Sequence, residues 1–311
     1  MWSRAEIFRN KVIFALIGAD AFLFYYFDKN PDYFGFITSI AVFVIFIAAA
    51  KYYYSSRKEI KIATAFKATA HLILYTCVGS IFNHLLVLTG RPLIDGILAS
   101  WDRALGFYWP EFIVKAQSIA WLDWISSVAY NSSLPQIAVV VLVLSFSGRQ
   151  EKLDKVLNAF VISSLITILF WAMYPLFGSF VYYSLTDEVS AIPGLVVDRA
   201  NVDQILQYRS NNWDTLRMDR LTGLIAFPSF HTVMAVLTIY AFWNVRFVFL
   251  PVFLLNVLVL ISVPIDGGHH LVDVAAGIIV ASLVIAFVEG RFARALKFLV
   301  SNKQSKVRSS A

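Results

Sequence analysis

The chain has one cysteine, Cys77, set inside an apolar run; it cannot form an intramolecular disulfide and says little about compartment. Charge is scarce too. Only 15% of the 311 residues are Asp, Glu, Lys or Arg, against about 25% in a soluble domain. That shortage excludes a soluble globular chain. No internal repeat and no low-complexity segment is visible, so the chain reads as one packed helical unit. The first apolar run lacks a small-residue cleavage site and reads as a helix that stays in the membrane, not as a signal peptide. Clustered carboxylates or thiolates of the kind that hold Mg²⁺ or Zn²⁺ are missing from the motifs below, so neither a metal nor another cofactor is expected.

What is present is hydrophobicity: 59% of residues, with several runs of the ~20 residues that cross a hydrocarbon core. The formal charge of +6 does not point to nucleic acid, because the basic residues gather in short loops and the tail, as the positive-inside rule expects. The expected fold is all-α, a polytopic membrane helical bundle of about eight spans with interfacial amphipathic helices. The spans are expected at about 12–27, 33–50, 68–89, 132–147, 156–177, 228–244, 247–263 and 270–288. Residues 1–65 read as an N-terminal transmembrane hairpin, 66–290 as the main membrane domain and 291–311 as a basic cytoplasmic tail. Lys51, Arg57, Lys58, Lys61 and Lys67 mark 51–67 as a cytoplasmic loop. The stretch 90–112 reads as an amphipathic interfacial helix with an aromatic belt at Phe107, Tyr108 and Trp109, and 113–131 as a second interfacial or partly inserted helix. The long polar stretch 178–226 carries Asp187, Glu188, Asp198, Asp203, Asp214 and Asp219 with four arginines and no lysine, which suits a cap on the outer face. With both termini in the cytoplasm, 90–131, 178–226 and 264–270 all fall outside.

Two short motifs organise the rest. FPSFHT (227–232) and GGHHLVDVAAG (267–277) each put a histidine where a membrane-length run begins, separated by about one hydrophobic hairpin. Asp273 follows His269 by four residues, a spacing that places imidazole and carboxylate one turn apart if the helix starts near His269. The carboxylate then accepts the Nδ1–H bond and leaves Nε2 free as nucleophile or base. Pro228 suits the first turn of a helix, and Ser229 with the surrounding N–H groups makes a helix start able to take an anion. Two histidines, a carboxylate and an anion site suggest phosphoryl chemistry.

PSFH (228–231) and GHHLVDVAAG (268–277) resemble the second and third signature motifs of the type 2 phosphatidic acid phosphatase superfamily. Phe230, the GGH-x-L-V-D-V form and RPLIDGILASWDRALGF (91–107) look more like the branch that holds inositol phosphorylceramide synthases and bacterial relatives, with the resemblance covering about 90–290. The resemblance implies a metal-independent, phosphohistidine mechanism on a phosphorylated lipid. His269 matches the nucleophile, Asp273 its orienting carboxylate and His231 the general acid, while Ser229 and the backbone near Gly268 match phosphate contacts. Two positions depart from the pattern. Val263 stands where the third motif carries arginine, and the nearest match to the first motif, His84-x6-Arg91-Pro92, lies far upstream. A phosphate dianion still needs guanidinium partners, so Arg209 and then Arg91 are the expected replacements, ahead of Arg217 and Arg220.

Other residues carry competing readings. His270, at i,i+3 to Asp273, is an alternative functional histidine. Asp266 is expected to solvate its loop, Asp95 and Asp102 to cap and solvate the interfacial helix, and His71 and His84 to hydrogen-bond between helices. The expected function is a lipid phosphatase or phosphotransferase, with a head-group transferase like the inositol phosphorylceramide synthases as the alternative. A transporter or a non-catalytic lipid-binding scaffold is the reading from another class. Expected surroundings are membrane lipids, in a bacterial inner membrane with the site on the periplasmic side.

Overall fold

The computed structural model describes residues 2–185 and 199–291. Asp187, Glu188 and Asp198 of the polar stretch, and the basic tail after Arg291, lie outside the described residues. In chain order the elements are α1 (Arg4–Tyr26), β1 (Asn30–Pro31), α2 (Tyr33–Ser55), α3 (Ile60–Leu86), α4 (Asp95–Ala104), α5 (Trp109–Gln117), α6 (Ala120–Phe146), α7 (Gln150–Met173), α8 (Ser179–Leu185), α9 (Arg199–Arg209), β2 (Thr215–Leu216), α10 (Phe230–Phe242), α11 (Phe249–Asp266) and α12 (Leu271–Val288). The fold is an all-α polytopic bundle. Among the described residues six helices are long and apolar enough to cross a membrane: α2, α3, α6, α7, α11 and α12. The other two expected spans are present as helices of a different kind. α1 is as long as a span but carries Arg4, Glu6, Arg9, Lys11 and Asp20, and α10, with 13 residues, rises only about 20 Å at 1.5 Å per residue.

The helices alternate in direction, so loops gather at two ends. At one end lie basic residues and their partners. Arg9 pairs with Asp154 at 2.7 Å, Lys67 with Glu6 at 2.7 Å, Lys155 with Glu289 at 3.2 Å, and Arg149 donates to the Asn244 carbonyl at 2.9 Å. At the other end lie the histidine motifs, α4, α5, α8, α9 and a two-residue parallel ladder in which Asn30 faces Thr215. Mid-bundle, Leu16, Val78, Ile137, Phe160, Leu237 and Val284 bring α1, α3, α6, α7, α10 and α12 into one apolar cluster. A second cluster lies under the loops at the histidine end, around Trp109, Trp171, Tyr183, Leu216 and Ile265. α2 fully buries only Ala50; Phe34, Ile37, Val44 and Ile45 face outward and are left for lipid, while Phe36 and Phe43 pack against the bundle.

One expected element is redrawn. Residues 113–131 do not form a separate interfacial helix: α5 ends at Gln117, and α6 runs unbroken from Ala120 to Phe146. The reason is an inverted pattern. α6 turns Trp121, Trp124 and Val128 outward and buries Ser126, Ser133 and Gln136, the arrangement that suits a helix whose surroundings are lipid and whose polar groups need protein partners. Gln136 meets one such partner, accepting from Asn256 of α11 at 2.7 Å.

Candidate active site

Ser229 is the N-cap of α10, fully buried, with its Oγ accepting from the Thr232 N–H at 3.4 Å. Pro228 therefore precedes the cap and does not occupy the first turn, as the sequence suggested. The Ser229 N–H donates to the Asp273 carbonyl at 3.1 Å, which ties the start of α10 to the start of α12. Close approach of the two helices depends on Gly277: a Cβ there would come within 2.7 Å of the Ser229 carbonyl and 2.8 Å of Thr232 Cβ. The two histidine motifs thus meet, first turn to first turn.

His269 and Asp273 also meet, but not as neighbours on one helix face. α12 starts at Leu271, and His269 lies in the preceding loop. Asp273 is the third residue of α12. Its Oδ2 accepts from the His270 backbone N–H at 2.8 Å, which caps the helix, and from His269 Nδ1 at 3.1 Å. A carboxylate can only accept, so Nδ1 carries the proton and Nε2 has the free lone pair. His269 is 4% exposed and Asp273 fully buried. Burial pushes the His269 imidazole down to about 4; the Ala226 carbonyl opposes this and the neighbouring His270 adds to it. At neutral pH the ring is uncharged, the form that attacks as a nucleophile.

The loop is held by two devices. Gly268 adopts φ +58° and its carbonyl accepts from the Phe180 N–H at 3.1 Å; a Cβ at Gly268 would lie 2.5 Å from that of Phe180. The His270 ring bonds to α4 and α8: its Nδ1 donates to Asp102 Oδ2 at 3.1 Å, with Ser179 Oγ 2.9 Å away. Asp102 also accepts from Leu271 N–H at 3.0 Å and Val272 N–H at 3.1 Å. The expectation that Asp102 and Asp95 solvate the interfacial helix is thereby corrected. Both are buried. Asp102 reaches out of α4 to cap α12, and Asp95 accepts from Phe177 N–H and Gly178 N–H, each at 2.9 Å. These backbone groups have no helical partner, and a carboxylate satisfies them in a site that water does not reach.

His231, half-buried in the first turn of α10, stacks on Tyr130 of α6 with ring centroids 4.1 Å apart and planes 22° from parallel. Its ring centroid is 6.5 Å from that of His269.

Other predicted residues fall elsewhere. Arg209 Nη2 donates to the Arg91 carbonyl at 2.6 Å, so the two arginines meet each other at the surface; among the described residues neither makes a hydrogen bond or ion pair to the histidines. Arg217 pairs with Asp219 at 2.7 Å. Val263 is fully buried in an apolar cluster with Ala129 and Val259. His71 does join two helices, through Asn10 Oδ1 at 3.0 Å. His84 instead accepts from the Thr222 N–H of a loop at 3.3 Å. Asp266 does not solvate its loop: it is 0% exposed, and neither oxygen has a hydrogen-bond partner. Tyr130 carried no signal in the sequence, since nothing in a span of mixed polarity marks one tyrosine as the floor under a histidine.

A family model described as the PAP2 superfamily matches residues 96–287. The chain belongs to the PAP2 superfamily. The match takes in both histidine motifs and α4, and with the apolar helices it makes this an integral membrane protein of phosphatase type. Comparisons with curated proteins and with solved structures find no match.

Proposed function

We propose that the protein is a lipid phosphatase or phosphotransferase that works through a phosphohistidine. The observation that carries this reading is the His269–Asp273 pair, buried and oriented, with the His231 ring 6.5 Å from that of His269, centroid to centroid. His269 Nε2 attacks phosphorus, the P–O bond to the lipid breaks, and His231 delivers a proton to the departing oxygen. Asp273 holds the His269 tautomer and offsets the positive charge that grows on the ring. In the second half, water or an alcohol attacks the phosphohistidine, with His231 taking its proton. Water gives hydrolysis and an alcohol gives transfer, the latter being what inositol phosphorylceramide synthases do. Ser229 and the backbone near Gly268 are assigned to phosphate contact, and Arg209 with Arg91 to the guanidinium role. Residues 66–290 form the catalytic unit, with 1–65 attached as a hairpin and 291–311 as the tail. The site opens to the periplasmic side of a bacterial inner membrane, because the basic loops lie at the opposite end.

The deciding experiment is turnover of the purified protein on a panel of lipid phosphates, with and without an acceptor alcohol, in EDTA. Phosphate release or transfer that survives EDTA and is blocked by vanadate supports the reading. Activity lost in EDTA and restored by Mg²⁺ would refute it.

A further inference from the structure

A cavity of about 520 Å³ lies between α1, α2, α3 and the loop at Leu216 and Met218, at the histidine end of the bundle, and shares no residue with the histidine site. Its volume is in the range of small-ligand sites. Its wall combines aromatic rings, among them Phe24, Tyr33 and Phe36, with the carboxylates of Asp20, Asp28 and Asp32. Asp20 is the unusual member. It is 5% exposed, and neither of its oxygens has a hydrogen-bond partner. It lies six residues before the end of α1, about 9 Å below the rim at 1.5 Å per residue. A carboxylate at such a depth without a partner is costly, and inside a membrane bundle an ionisable residue of this kind marks a binding or transport site by default.

The cavity's own cation does not reach it. Lys29 lines the wall, but its Nζ donates to the carbonyls of Trp213 at 2.5 Å and Asn211 at 3.3 Å and sits 4.8 Å over the Trp213 ring. Asp32 is committed at the rim, accepting from Gly35 N–H at 3.0 Å and Met218 N–H at 3.1 Å. Those two backbone bonds hold its carboxyl below the usual range, so it is charged at neutral pH. The cavity therefore presents negative charge, aromatic faces and two unmet acceptor atoms at its base. Among the described residues, no three acidic, His or Cys side chains converge as a metal site would need. Aromatic faces and a buried carboxyl without a partner instead suit an organic cation. The unmet acceptors select further: they require N–H donors, which a quaternary ammonium lacks.

We propose that this cavity binds a primary ammonium group, with Asp20 as its anionic partner. The amine comes from a lipid head group such as phosphatidylethanolamine's or from a free amine, and the experiment separates these sources. The full chain is reconstituted in phosphatidylglycerol nanodiscs. Thermal unfolding is followed while ethanolamine or choline is added, and in parallel discs that also contain phosphatidylethanolamine. Ethanolamine should raise the unfolding temperature saturably and choline should not. Stabilisation by phosphatidylethanolamine as well assigns a lipid source; stabilisation by ethanolamine alone assigns a soluble amine. Asp20→Asn should weaken ethanolamine binding at least tenfold yet unfold, without ligand, no lower than the wild type, since it removes a buried carboxyl that has no hydrogen-bond partner. Asp28→Asn, at the rim, should weaken binding less and decides the matter if Asp20→Asn fails to fold. Equal responses to choline and ethanolamine, or undiminished binding in Asp20→Asn, would overturn the proposal. So would an infrared band of a protonated Asp20 carboxyl that ethanolamine leaves unchanged.

Discussion

Replacing Asp102 by alanine tests whether α4 builds the histidine loop. The wild-type carboxylate accepts from two α12 backbone N–H groups at 3.0 and 3.1 Å and from His270 Nδ1 at 3.1 Å. Losing a helix cap costs about 0.5–2 kcal/mol. Breaking a buried charged pair by removing one partner costs about 3–5 kcal/mol, because the other is left uncompensated. The larger figure decides here, since the His270 side chain is 0% exposed and that of Asp102 only 2%. The loss has a pH signature. Burial alone would lower the His270 pKa, but the hydrogen bond to Asp102 and the charges of Asp273, Asp102 and Asp95 together raise it. A raised histidine pKa stabilises the fold fully below the unfolded value of ~6.5 and ceases to do so as pH climbs through the folded value. Asp102→Ala should therefore destabilise most near pH 6, and the gap to wild type should narrow at alkaline pH. Asp102→Asn, which keeps a carbonyl to cap the backbone, should fall between. Thermal unfolding in detergent at a series of pH values measures both. Turnover should fall as well, by up to ~10²-fold for a displacement of about 1 Å at His269. A variant within ~0.5 kcal/mol of wild type at every pH would refute the argument that Asp102 holds the loop.

Three further outcomes follow from the site. His269→Ala should abolish any phosphoenzyme, whereas His231→Ala should lose ~10²–10⁴-fold on a lipid phosphate but less on an aryl phosphate, whose leaving group needs no proton; Asp273→Asn should impair both substrates alike, and a phosphoenzyme trapped in His269→Ala would exchange the assignments. The acid limb of kcat/KM should fall toward the His269 value of about 4, because only the neutral ring attacks and burial delays its protonation; a limb near ~6.5 would mean an exposed, ordinary histidine. A cysteine placed at exposed Asn212, near the histidine end, should react with an impermeant thiol reagent from the periplasmic side, and labelling only from the cytoplasm would invert the topology.

Much of the architecture was legible in the sequence because the membrane imposes a simple rule. Each apolar run of sufficient length must satisfy its own backbone, and a helix does so. Each of the eight expected runs is a helix, and the motif spacing placed His231 and His269 at the same end. The residues that shape the site were not legible in the same way. His269 and Asp273 are four apart, yet they meet through a capped turn and not along a helix face. Asp102 looked like a residue for its own helix; only the packing of α4 against the start of α12 gave it those N–H groups and His270. Asp266 read as a solvated loop residue and is buried, while Tyr130 acquires meaning only where α6 passes beneath α10. Local pattern determines which segments become helices, since the hydrogen bonds of a helix are short-range. Which polar side chains find one another at the helix ends depends on contacts spanning more than a hundred residues, and those exist only once the bundle has closed.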